Sequence, residues 1–114
     1  MEIRKGDVWW VSFDPSIGGE IQKTRPAVIV SNNAANIALN RVVVVPLSTQ
    51  VAKIYPAEAV VTLNGEKRKA MADQVTTASK KRLRSRMGAM SSRDMRAVED
   101  AILQHLAIQR TVVH

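Results

Sequence analysis

Residues 5–16 read KGDVWWVSFDPS, and this stretch predicts the first strand of the fold. The segment 7–13 is apolar, aromatic and β-branched, and an Asp-Pro pair follows it, which is typical of a strand that ends in a turn. Successive side chains of a strand point to opposite faces of a sheet. We therefore expect Trp9 and Trp10 to lie on opposite faces, with only one of them in the core.

The middle of the chain also has mainly strand patterns. An Asn-Gly pair at 64–65 predicts a tight hairpin, because both residues tolerate a positive φ. A Gly-, Ser- and Pro-containing loop is expected at 14–25, a short helical turn at 33–39 and a basic turn at 79–83. Further strands are predicted at residues 27–31, 41–45 (buried on both faces), 58–63, 70–75 and 86–90.

The C-terminal part differs, because its apolar residues recur at helical spacing. Ser91 or Ser92 is a suitable N-cap, Asp94 suits the first turn, and the helix is expected to end near Arg110. The stripe predicted to face the core is Met95, Val98, Ile102 and Leu106. Five or six closely spaced strands and one terminal helix predict a mainly β fold, a strongly bent antiparallel sheet or small barrel, as a single domain over 1–114.

The composition excludes several classes of site. The 114 residues include no cysteine, which rules out disulfides, thiolate catalysis and cysteine-ligated metals. The two histidines, His105 and His114, both lie near the C-terminus, so a multi-histidine metal site or a catalytic triad is not expected. An apolar signal segment and an apolar run long enough for a membrane span are also missing. We therefore expect a soluble, cytoplasmic protein that does not engage a membrane.

The positive charge is concentrated in one part of the sequence. The formal net charge is +7, from 17 basic and 10 acidic residues. Residues 1–66 contain equal numbers of basic and acidic residues, so residues 67–114 supply the whole excess. Such a distribution favours a polyanion or an acidic protein as partner. The alternative is a solvated basic surface that only maintains solubility.

Several stretches occur in an order and at a spacing that resemble the MazF/PemK family of toxin endoribonucleases. They are RKGDVWWVSFDP at 4–15, GEIQKTRPAVIVSN at 19–32, VPLST at 45–49, and ADQV at 72–75 followed by KKRL at 80–83 and Gly88. The resemblance implies an SH3-like barrel with a C-terminal helix, usually a homodimer. It also implies sequence-selective cleavage of single-stranded RNA without metal or cofactor, which leaves a 2′,3′-cyclic phosphate and a 5′-OH. The implied partner is a small acidic antitoxin.

The same resemblance implies which residues form the site. Arg25 and Ser48 occupy the catalytic positions, and Thr49 and Asp73 are candidate supporting residues. The candidate RNA contacts are Glu20, Gln22, Lys23, Gln74, Lys80, Lys81 and Arg82. Because arginine is never neutral in proteins, Arg25 is better suited to stabilise a phosphorane than to act as a general acid or base. RNA supplies its own nucleophile, the 2′-OH.

Each of these residues also has a purely structural interpretation. Ser48 could bond locally to the backbone at a strand end, with Thr49 supplying the hydroxyl instead. Asp73 could pair with a neighbouring lysine, and the outward-facing tryptophan could stack a base or lie in a dimer interface. Two other functions on this type of fold are a CcdB-like inhibitor of DNA gyrase and a nucleic-acid-binding module without activity. Arg25 together with Ser48 favours the ribonuclease over both.

Overall fold

The computed structural model describes residues 2–14 and 23–110. Two short 3₁₀ turns lie within this part of the chain, at Ala72–Gln74 and Lys80–Arg82. The regular elements are β1 (Asp7–Ser12), β2 (Thr24–Ile29), α1 (Asn33–Ala38), β3 (Arg41–Ser48), β4 (Glu58–Leu63), β5 (Glu66–Met71), β6 (Thr76–Ser79), β7 (Leu83–Ala89) and α2 (Ser92–His105).

The described strands form a curled antiparallel sheet in the order β4-β5-β3-β2-β1-β7, with β6 paired to β3. Strand β3 organises the sheet because it pairs with β2 near its middle, with β6 over residues 41–44 and with β5 at residues 47 and 48. Register shifts between β1 and β7, on either side of Trp9, add a further bend. The mainly β fold with one C-terminal helix is the predicted fold class.

Two clusters of buried side chains lie on opposite faces of the curled sheet. One contains Val8, Val45 and Leu47 and packs against Met95 and Val98 of α2. The other is formed by Trp9, Val11, Ile29, Val42 and Val44, together with neighbouring residues. Strand β3 contributes to both clusters, which confirms that this strand is buried on both faces.

The two tryptophans of β1 lie on opposite faces, as predicted. Trp9 is buried in the second cluster, whereas Trp10 is 36% exposed. The hairpin is also as predicted, because Asn64 (φ 51°) and Gly65 (φ 81°) join β4 to β5 and bring Leu63 opposite Glu66. These positive φ values are the reason that an Asn-Gly pair marks the turn.

Helix α2 begins as predicted but ends earlier. The Ser91 side chain accepts a hydrogen bond from the Asp94 amide (3.1 Å) and caps the helix. The predicted end near Arg110 is wrong, because Ala107 adopts φ 56° and the chain turns away. The amides of Ala107 and Ile108 donate to the carbonyls of Gln104 and Leu103, a Schellman motif formed without glycine. Leu106 is consequently exposed and does not extend the core stripe.

Other strand boundaries were predicted incorrectly. The return strand of the hairpin starts at Glu66, and residues 72–74 form a 3₁₀ turn, so Asp73 and Gln74 are not on a strand. Strand β6 was missed because only Ala78 among its four residues is buried. Strand β2 starts at Thr24, two residues before Pro26. Neither described helix is long and apolar enough to cross a membrane.

Candidate active site

A pocket of about 300 Å³ opens where the first residues of β2 meet the end of β3. The pairing of Trp10 with Pro26 and of Ala27 with Pro46 brings these strand ends together. As a result, Arg25 and Ser48 line one pocket. Its described lining is Trp10, Lys23, Thr24, Arg25, Pro26, Leu47, Ser48, Thr49 and Arg68.

Ser48 is a buried hydroxyl with a defined hydrogen bond. The residue is 7% exposed, and its Oγ accepts a hydrogen bond from the Gln50 amide at 3.1 Å. A serine hydroxyl has one hydrogen to donate and two lone pairs to accept with. The bond from Gln50 occupies one lone pair and orients the oxygen, so the hydroxyl hydrogen can still be donated. Thr49 also lines the pocket, but Thr49 is exposed, whereas Ser48 is buried.

The pocket has a one-sided charge. Lys23, Arg25 and Arg68 line it, and no carboxylate is found among its described lining residues. A concave surface lined by one sign of charge concentrates the field and attracts the opposite charge. The planar guanidinium is well shaped for two parallel hydrogen bonds to a phosphate. The arrangement is therefore suited to a phosphodiester.

The comparison with known protein families agrees with this chemistry. Residues 4–106 match the family described as PemK-like, MazF-like toxin of type II toxin–antitoxin systems. The chain belongs to this family. The predicted resemblance is therefore confirmed, and it covers both the pocket and helix α2.

Curated relatives carry names of the same kind. Over an alignment of 113 positions, the chain is 34% identical to Endoribonuclease MazF9 of Mycobacterium tuberculosis, and the alignment covers 91% of this chain and 96% of the relative. It is 36% identical to Endoribonuclease toxin MazF of Escherichia coli K12 over 100 residues, or 85% and 87% of the two chains. These names favour a toxin endoribonuclease over a CcdB-like inhibitor.

Solved structures share the fold. MazF from Deinococcus radiodurans superposes with a TM-score of 0.83 at 22% identity, covering 95% of this chain and 99% of that one. A mycobacterial endoribonuclease in complex with its cognate antitoxin gives a TM-score of 0.79 at 23% identity, with coverage of 96% and 99%. The architecture is therefore that of the MazF toxins.

Of the remaining candidate residues, those that the structure describes lie outside the pocket. Glu20 and Gln22 fall outside the described residues. Asp73 and Gln74 lie on the 3₁₀ turn after β5 and do not line the pocket. The cluster at Lys80–Arg82 is also not part of the pocket lining.

Arg82 has structural contacts that its place in a basic run did not predict. Its Nη1 donates to the carbonyl oxygens of Ser12 (3.1 Å) and Asp14 (2.6 Å). The Asp14 carboxylate in turn accepts a hydrogen bond from the amide of Lys23 at 2.8 Å. Arg82 therefore holds the end of β1 and the chain just beyond it, next to a residue that lines the pocket.

The basic run at 67–69 is divided between three environments. Lys67 is exposed, Arg68 lines the pocket, and Lys69 forms a buried ion pair with Glu58. Among the described charged residues of the pocket, Arg68 is the one that sequence reasoning missed. The Asn-Gly hairpin fixes its position along β5, but the pairing of β5 with β3 has no comparable sequence signal.

A second cavity is an open, largely apolar groove of about 720 Å³ beside α2. Lys5 and Glu99, which form a 2.9 Å ion pair, line it with Arg110. Arg110 donates a hydrogen bond to Asp100 (2.6 Å), which lowers the pKa of that carboxyl. The apolar lining residues are Val30, Ala35, Val43, Val75, Ile102, Leu103 and Leu106.

Among the described residues, no group of three or more His, Asp or Glu side chains could hold a metal ion.

Proposed function

We propose that the chain is an endoribonuclease toxin that cuts single-stranded RNA in the pocket shared by Arg25 and Ser48. The observation that carries this proposal is the shared pocket itself, in which a guanidinium and an oriented hydroxyl lie among cationic side chains. The family and the names of the relatives support the same activity.

The reaction starts at the 2′-OH of the nucleotide before the cut. The 2′-oxygen attacks the adjacent phosphorus, the bond from phosphorus to the 5′-oxygen breaks, and a 2′,3′-cyclic phosphate forms. The 2′-OH loses a proton and the departing 5′-oxygen gains one, so the second product is a 5′-OH. The enzyme has to hold the 2′-oxygen in line with the leaving group and to stabilise the charge that develops on the phosphate.

Arg25 and Ser48 supply this stabilisation. The Arg25 guanidinium keeps its charge and donates to the non-bridging oxygens of the phosphorane, while protons pass through water or phosphate oxygens. The Ser48 hydroxyl can donate to the same oxygens, because the bond from the Gln50 amide uses a lone pair of Oγ and not the hydroxyl hydrogen. Thr49 and Asp73 are candidate supporting groups, of which Thr49 lines the pocket.

The positive charge that a metal ion provides in other nucleases comes here from side chains. Lys23, Arg25 and Arg68 would repel a divalent cation and attract the phosphate directly. We therefore expect cleavage without a metal or cofactor. Trp10, which is exposed at the same pocket, offers a ring face on which a base can stack.

The direct test is to incubate the purified protein with long single-stranded RNA in excess chelator and to map the 5′ ends of the fragments. Cleavage should persist in chelator, produce 5′-OH ends, and stop when the nucleotide before the cut carries deoxyribose. Strict dependence on added magnesium would contradict the intrinsic 2′-OH mechanism.

The toxin acts on RNA in the cytoplasm as a dimer of two copies of this chain. Its protein partner is an acidic antitoxin. The apolar groove beside α2, with Leu106 and Ile108 exposed near it, supports a second copy as its cover. Light scattering during gel filtration measures this directly. The parent should have the mass of a dimer and Leu106→Asp that of a monomer, whereas a monomeric parent would exclude the homodimer.

A further inference from the structure

Arg68 is a partly buried cation, and one of its donor atoms has no hydrogen-bond partner in its surroundings. Its side chain is 14% exposed, and its Nε is buried without a hydrogen-bond partner among the described residues. Burying a guanidinium donor without a partner costs free energy comparable to a lost hydrogen bond to a charged group. Such a group in a native structure requires an explanation.

The ion pair that Arg68 does form is weak. Its Nη2 lies 3.4 Å from Oε2 of Glu66, whose side chain is 71% exposed. An exposed carboxylate at this distance contributes little, because water screens it and its long side chain must be held in place. The Glu66 carboxylate can therefore leave at low cost when a stronger anion arrives.

The position of Arg68 indicates that this anion is a ligand of the pocket. Arg68 follows Lys67 on β5 and precedes Lys69, which pairs with Ser48 at the end of β3. Both Arg68 and Ser48 line the pocket. A ligand that fills the pocket therefore borders both Arg25 and Arg68, and no carboxylate is among the described lining residues.

We propose that Arg68 is a second phosphate-binding arginine, which grips an RNA backbone phosphate while Arg25 acts on the scissile one. Arg68 binds the substrate equally well before and during the reaction, so it sets affinity and register rather than the rate of the chemical step. The proposal rests on the ribonuclease function, because it assigns a role to a residue of the same pocket.

The test measures binding of an RNA that cannot be cleaved. The probe is a single-stranded oligonucleotide that spans a mapped cut, with deoxyribose at the nucleotide before the cut. Arg68→Gln should weaken its binding roughly 10- to 100-fold, the loss expected for one charge-assisted hydrogen-bonded contact. The slope of log Kd against log salt should fall by about 0.7, the value for one phosphate of a single strand.

Single-turnover cleavage of the all-ribose RNA provides a second readout. Arg68→Gln should raise the RNA concentration at half-maximal rate and leave the maximal rate within a few-fold of the parent. Arg68→Lys should recover part of the salt slope and little of the affinity, because a point charge cannot form two parallel hydrogen bonds. If Arg68→Gln fails to fold, Glu66→Gln still tests the proposal. Removal of the competing carboxylate should tighten binding up to about fivefold.

Arg93→Gln is the matched control. Arg93 is an exposed arginine of helix α2 and does not line the pocket. This variant should change neither Kd nor the salt slope.

Two failures are distinguishable. If the parent protein neither binds nor cuts RNA, the proposed function is wrong. If the parent does both and folded Arg68→Gln matches Arg93→Gln in Kd and slope, only the role of Arg68 is wrong. The same holds if Arg68→Gln loses binding to an acidic antitoxin but retains its RNA affinity and slope.

Discussion

Ser48 of β3 lies directly opposite Lys69 of β5, in the pairing that joins the end of β3 to the hairpin. The Lys69 Nζ donates to Glu58 (3.1 Å) and to the carbonyl of Lys53 (2.9 Å), and the Lys69 and Glu58 side chains are 8% and 6% exposed. The Glu58 carboxylate also accepts from the Tyr55 amide. The strand that pairs with Ser48 is therefore tied to the 53–58 segment by a buried ion pair and a hydrogen bond.

Loss of Lys69 should destabilise the whole fold. Lys69→Ala leaves the Glu58 carboxylate buried without its cation, and breaking a buried pair in this way costs about 3–5 kcal/mol in the free energy of unfolding. Urea denaturation measures this cost. The neighbouring Lys67→Ala, which removes an exposed lysine of the same strand, should change stability by less than about 0.5 kcal/mol. Equal stability of both variants would show that the pair is not structural.

Alanine variants of Ser48 and Thr49 test which of the two hydroxyl groups donates to the phosphate. Because Ser48 is buried and oriented by the Gln50 amide, Ser48→Ala should lower the single-turnover rate more than Thr49→Ala does. Ser48→Thr should stay active because the hydroxyl remains, and Ser48→Ala should cost less than Arg25→Ala. An unaffected Ser48→Ala beside an inactive Thr49→Ala would move the role to Thr49.

The basic turn at Lys80–Arg82 should divide into two kinds of residue. Charge reversal of Lys80 and Lys81 should weaken binding to RNA or to the acidic antitoxin and flatten its salt dependence. Arg82→Ala should instead lower the melting temperature, since the carbonyls of Ser12 and Asp14 lose their donor. Unchanged salt slopes for both partners in the lysine variant would leave the turn as a solvated surface.

The features that were predictable from sequence are those with a local cause. The Asn64-Gly65 turn and the Ser91 cap each depend on residues within a few positions, and the apolar run of β3 needs burial wherever it lies. The end of α2 was not predictable in this way, because Ala107 adopts a backbone conformation that usually selects glycine.

The candidate site was predicted only in part. Arg25 and Ser48 follow from the resemblance, and the strand pairing brings both to one pocket. The residues 66–69 are all charged and do not look like a strand, yet the hairpin forces them to pair with β4. The position of Arg68 in the pocket therefore depends on tertiary pairing, and no pattern in the local sequence indicates it.

The central claim is that Arg25 stabilises charge on the phosphate, and single-turnover cleavage of a mapped RNA by folded Arg25→Ala tests it most directly. The rate of the chemical step should fall about 100- to 1,000-fold, with a smaller effect on binding of the uncleavable RNA. Arg25→Lys should recover little of the rate. Circular dichroism and the oligomeric mass should match the parent. A folded Arg25→Ala that cuts within a few-fold of the parent rate would contradict the account.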